Sequence, residues 1–123
     1  MNPDRLFRAS CMALIVTAMS FALRGAAAGA WATEFHLTNE QVGWITGTAF
    51  WGFTLAMVFG GPLCDALGLG RIVVLAFAGH LGGIVLTLTA WNYGSLYTGT
   101  LLMGISHGLV EAACNPLIAT LYP

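Results

Sequence analysis

Four long apolar runs, separated by three short polar breaks, make up almost the whole chain. They cover residues 9–32, 42–63, 72–90 and 96–121. At about 1.5 Å per residue, each run is close to or above the length that carries an α-helix across a hydrocarbon layer about 30 Å thick. The breaks hold the start and stop signals. In Glu34–Glu40, Thr38 or Asn39 is a good N-cap, and Glu40 and Gln41 fall in the first turn of the next helix. Pro62, Gly68 and Gly70 permit a tight turn between the second and third runs, and Trp91-Asn-Tyr-Gly-Ser95 makes an aromatic, turn-forming boundary before the fourth. The pattern predicts an all-α membrane protein with four transmembrane helices at about those bounds. A basic start (Arg5, Arg8), the apolar stretch 9–23 and the small residues Ala26, Ala27 and Ala28 also resemble a cleavable signal peptide. The chain continues into further apolar runs and not into a soluble domain, so a first span is the better reading.

Polar residues inside such runs carry the information, because a charge in lipid is costly unless it is paired, neutralised or watered. His107, Glu111 and Asn115 lie at i, i+4 and i+8 of the fourth run and form one stripe, which Thr100 and Gly104 extend. Glu111 is therefore a candidate functional carboxylate; the bland alternative is a protonated hydrogen-bonder to a neighbouring helix. In the first run Thr17, Ser20, Arg24 and Trp31 fall near one face. Arg24 either lines a cavity or snorkels its charge to the outer interface along its long stem. In the second run Gln41, Trp44, Thr48 and Trp51 share a side, with Trp44 read as an interface anchor. His80 in the third run, alone among Ala, Leu and Gly, reads as hydrogen-bonded to a neighbouring helix.

Composition then sets the solvent. The 123 residues are 58% hydrophobic and 7% charged, against about 25% charged in soluble domains, so most of this surface does not face water. A net charge of −1 excludes the basic footprint that nucleic acid requires. Cys11, Cys64 and Cys114 lack paired-ligand spacing and read as small buried hydrophobes. Gly25/Gly29, Gly43/Gly47, Gly79/Gly83 and Gly104/Gly108 give each span one pair at the spacing that lets helix backbones approach closely. Arg5, Arg8 and Arg71 flank one side, whereas residues 33–40 and 91–95 contain no Lys or Arg. The N-terminus, the Asp65 loop and the C-terminus are therefore expected in the cytoplasm, and the protein in the plasma (inner) membrane as a multi-pass chain.

The loop after the second run is similar to the signature Gly-x-Leu-x-Asp-basic-x-Gly-basic-basic of the major facilitator superfamily. Gly61, Leu63, Asp65 and Gly68 fit; Ala66, Leu69 and Gly70 stand at basic positions, with Arg71 just beyond. Phe35-x-Leu-Thr-x-x-Gln-x-Gly43 and Gly108-Leu-Val-Glu-Ala-Ala-Cys-Asn-Pro116 resemble the fucose permease branch, the sugar:proton symporters. Glu111, Ala113, Asn115 and Pro116 match that branch's Glu-x-Ala-x-Asn-Pro segment, whose glutamate is tied to proton coupling. The first-helix aspartate of the fucose permease has no counterpart, Gly29 standing there with Arg24 one turn earlier.

The resemblance implies a twelve-helix fold of which these four spans are the first part, an N-terminal fragment that does not transport alone. Spans one to three would be one repeat, and span four would open its inverted partner. The implied function is secondary transport of a small polar solute, a sugar, by proton symport. Glu111 and His107 are then the proton-coupling residues and Asn115, Arg24, Gln41 and Thr48 the solute ligands, with Gly61, Asp65, Gly68 and Arg71 forming a gating loop. The expected partners are the solute, the proton, the lipid bilayer and the remaining helices, with no cofactor. The alternative is a small membrane-embedded binding or assembly subunit that uses its glycine faces to pack on partners. An enzyme holding a metal on His80, His107 and Glu111 is disfavoured, because the zinc-hydrolase helix motif is absent.

Overall fold

A computed structural model describes residues 2–122, as four helices: α1 (Pro3–Glu34), α2 (Asn39–Leu67), α3 (Leu69–Leu88) and α4 (Tyr93–Leu121). All four are long and apolar enough to cross a membrane. The helices extend past the apolar runs because their ends are capped by polar residues outside them. Thr38 and Gln41 form a reciprocal capping box at the start of α2, and Asn92 and Ser95 do the same for α4. Asn2 accepts from the Asp4 amide to open α1, with Pro3 in its first turn. The expected turn at 61–71 shrinks to one residue. Pro62 lies inside α2 and Gly70 inside α3, so Gly68 alone breaks the chain, with a positive φ of 86°.

The packing order follows from where the small residues fall. α4 is the central helix and α2 and α3 pack closely on it, whereas α1 leans more lightly on α4 and α2. α4 runs parallel to α2: a Cβ built on Gly104 would strike the Thr48 carbonyl, and one on Gly108 would lie 2.5 Å from the Phe53 carbonyl. It runs antiparallel to α3, where a Cβ on Gly83 would lie 2.5 Å from Met103 Cγ and 2.8 Å from the Gly99 carbonyl. Two of the four glycine pairs are therefore helix contacts. The other two are not: Gly25, Gly29 and Gly43 face open space, and Gly47 only grazes Trp51 of its own helix. Spacing announces a smooth helix face but not its partner.

Polarity is inverted relative to a soluble bundle. The buried residues of α1 are Ser10, Thr17, Ser20 and Arg24, all polar, while Met12, Ile15, Val16, Met19 and Leu23 are exposed. Lipid takes the greasy side, so the polar stripe turns inward onto α4. Pro116 shows the same rule on the backbone. Lacking an N–H, it leaves the Ala112 carbonyl, four residues earlier, without its helical donor, and the buried Cys64 thiol donates to that oxygen at 3.8 Å. α1 and α4 are antiparallel, tied at one end by the Tyr122 hydroxyl donating to Asp4 at 3.0 Å and further along by Arg24.

Candidate functional site

Arg24 organises the interior. It is 7% exposed and reaches from α1 across to α4, so the structure selects the inward position over snorkelling. Nη1 donates to the Thr100 carbonyl at 3.1 Å and Nη2 to His107 Nδ1 at 3.2 Å, while the guanidinium carbon lies 4.8 Å from the centre of the Phe21 ring. A guanidinium has only donors, so Nδ1 must supply a lone pair and the hydrogen of His107 must sit on Nε2. That Nε2 is buried without a partner, and so is Nε of Arg24. The ring of His107 is fully buried between Phe21, at 4.9 Å, and His80 of α3, at 4.7 Å.

This makes a cation in an apolar interior, held at its end by two neutral acceptors, with two donors left over. A buried donor without an acceptor costs about 1–3 kcal/mol, more where charge is involved. The unused Nε edge of the guanidinium is where a carboxylate would bind in two parallel bonds. Space exists beside it. A cavity of about 130 Å³ between α1, α2 and α4 is lined by Phe21, Arg24, Ile45, Ala49, Phe50 and Thr100, and a second of about 240 Å³ lies on the α3 side, lined by Ser20, Arg24, Ile84 and Thr87 among others.

The other expected site residues separate into groups. Glu111 is partly exposed one turn from His107 on α4, and Asn115 is exposed a further turn away. Arg24 bonds Thr100 and His107 and makes no ion pair with Glu111. Gln41 and Thr48 each make a side-chain hydrogen bond to the backbone of their own helix or its cap. The Gln41 carbonyl accepts from the Thr38 amide, and the Thr48 hydroxyl donates to the Ile45 carbonyl at 2.6 Å, deep in the α2–α4 contact. Gly61, Asp65, Gly68 and Arg71 are all exposed. Asp65 ends α2 and Arg71 begins α3, each at the helix end whose dipole disfavours its charge.

His80, read from the sequence as a packing residue of α3, lies against the same cluster. Instead of the expected hydrogen bond to a neighbouring helix, it stacks on His107. Its position next to the Gly79 contact was the available signal. Among the described residues, no group of three or more His, Cys, Asp or Glu side chains is placed to hold a metal ion.

A set of helices long and apolar enough to cross a membrane, whose polar residues converge on an internal cation beside a cavity, defines a polytopic membrane protein with a polar interior. The chain belongs to the Major Facilitator Superfamily, whose family model matches residues 10–123. The four helices agree with part of the larger twelve-helix fold of that family. The chain is 36% identical over 97 residues to the 3-(3-hydroxy-phenyl)propionate transporter of Escherichia coli (strain K12), covering 77% of this chain and 23% of the relative. It is 26% identical over 84 residues to vesicular glutamate transporter 1 of Bos taurus, covering 67% of this chain and 15% of that protein. Vesicular glutamate transporter 2 of Homo sapiens is 25% identical over 84 residues, covering 67% of this chain and 14% of that protein. The chain thus spans under a quarter of the length of these relatives. No solved structure matches it.

Proposed function

We propose that these helices are the opening part of a proton-coupled secondary transporter whose solute is a small organic anion, its carboxylate taken by Arg24. The observation that carries this is the guanidinium itself: buried, bonded only to a carbonyl and an imidazole, with Nε free beside a cavity. A neutral sugar, expected from the fucose permease resemblance, would leave that charge uncompensated; a carboxylate balances it and uses the free donors. The solutes named for the relatives, a hydroxyphenylpropionate and glutamate, are carboxylates. Glu111 remains the proton carrier in this reading, being partly exposed and one turn from His107. Asn115 then meets the solute on its way in.

The test is uptake by the complete protein in proteoliposomes. Arylpropionates and glutamate should accumulate against a gradient when a proton gradient is imposed, while their amides and neutral sugars neither accumulate nor compete. Glu111→Gln, which keeps the shape but cannot cycle a proton, should abolish uphill uptake and spare exchange. Uptake of a sugar with no response to carboxylates would reject the anion assignment, and pH-driven accumulation surviving Glu111→Gln would reject the coupling role.

Orientation is a second part of the proposal, with Arg5, Arg8 and Arg71 on the cytoplasmic side of the inner membrane. In a cysteine-free background, a cysteine at His36 should react with an impermeant reagent in intact cells and one at Leu67 only after permeabilisation. The opposite pattern would invert the topology.

A further inference from the structure

Anion binding by Arg24 and proton coupling through Glu111 leave the imidazole of α3, His80, without a task, and a close helix contact fixes its placement. His80 sits beside Gly79, and a Cβ on that glycine would collide with the Ser106 hydroxyl, so α3 lies against α4 with only the short Ser106 side chain and the tip of Leu102 at that point. That contact, with Gly83 a turn further on, brings the His80 ring over the His107 ring at 4.7 Å and 37°. The two imidazoles are not equivalent. His107 is sealed, its Nδ1 lone pair held by Arg24 and its Nε2 without outlet. His80 is only partly buried, and neither of its nitrogens is among the sealed, unpartnered polar atoms. α1 and α3 do not pack on each other, and the cavity between them is lined by Ile84, one turn from His80.

We propose that His80 is a second proton-binding position of the transport site, one that binds its proton together with the solute anion. This rests on Arg24 being the anion-binding group. The charged and titratable groups facing His80 are Arg24 from α1 and His107 from α4, with Glu111 a turn beyond; α2 carries its titratable groups, Glu40, Cys64 and Asp65, only near its ends. With the site empty, a proton on His80 adds a second cation to the cluster. With a carboxylate on Arg24, the same proton helps to balance the anion. Anion and proton therefore strengthen each other's binding, by the same factor in both directions. The step is a plain proton transfer: an N–H bond forms on the free ring nitrogen of His80 as an O–H bond of hydronium breaks, and it reverses on release. His107 is the spacer that keeps the two charges apart.

Binding of 3-phenylpropionate to the complete protein in nanodiscs, measured at pH 5.5 and 7.5, tests this. The unmodified protein should bind about tenfold more tightly at the acid pH, within the usual range for coupled sites. His80→Gln should flatten that dependence, and Arg24→Gln should lose binding at both pH values. His80→Phe preserves the ring stack without the proton and should behave like His80→Gln. If His80→Phe instead restores the pH dependence, the histidine is only a packing residue and the inference falls. A dependence unchanged in both His80 variants, with Arg24 still required, overturns the role of His80 alone. Failure of the unmodified protein to bind, or binding indifferent to Arg24→Gln, overturns the anion site and this inference with it.

Discussion

Arg24→Gln in the complete transporter should weaken carboxylate binding by at least about a hundredfold while making the empty protein more resistant to heat. The two effects have one cause. Breaking a buried, hydrogen-bonded charge pair costs about 2–5 kcal/mol, so the anion loses most of its affinity when the guanidinium goes. In the empty site, however, that guanidinium is a charge with no counter-ion, held by Thr100 and His107 and surrounded by apolar rings. Glutamine removes the charge and can still donate to one of those acceptors, so the unliganded fold gains stability. Arg24→Lys should fall between, keeping the charge but losing the planar fork that meets a carboxylate with two bonds. Solute binding and thermal unfolding in detergent, measured on the same preparations, check both halves. Unchanged affinity with lowered thermal stability would make Arg24 a structural cation, compensated by a carboxylate elsewhere in the complete protein.

Leucine at Gly108 or Gly104 should prevent the bundle from assembling. A Cβ at Gly108 would lie 2.5 Å from the Phe53 carbonyl and 2.6 Å from Ala56 Cβ, and one at Gly104 would meet the Thr48 backbone. The obstacles are backbone atoms and an alanine Cβ fixed to the backbone, which cannot turn aside as a flexible side-chain tip can, so α2 and α4 must separate. Separation also removes the wall of the cavity beside Arg24, since Ile45 and Ala49 of α2 line it opposite Thr100 of α4. A loss of roughly 4 kcal/mol or more is expected, seen as aggregation or a collapsed melting temperature. Gly29→Ala and Gly43→Ala, where nothing lies within 4 Å, should be neutral or slightly stabilising in the helix. If Gly108→Leu melts like the parent protein, the α2–α4 contact is wrong.

Glycine shows where sequence reading reached its limit. Four spaced pairs were legible, but only those on α3 and α4 mediate helix contacts within this chain. Nothing local distinguishes Gly29 from Gly108; the difference is that α4 is central and α1 is not. The expected solute ligands divided for a similar reason. Gln41 and Thr48 share a helix side in the pattern, yet a capping box holds the first and an Ile45 carbonyl the second. Short-range backbone partners hold both side chains in this structure. By contrast, the polar line Thr17, Ser20 and Arg24 was readable from spacing, and the structure turns that line inward.

Length and hydropathy alone determined that there are four membrane-crossing helices, because lipid forces each span to satisfy its own backbone within one contiguous segment. The loop signature after the second run also pointed to the superfamily that the family model matches. The meeting of Arg24, His80 and His107 was decided only by tertiary structure. The three stand on three different helices, and nothing in the spacing within any one of them points to the other two. Their encounter depends on how closely α3 approaches α4 at Gly79 and how α1 rotates to hide its polar side from lipid. Those are properties of packed surfaces, and helical periodicity carries no record of which surfaces will meet.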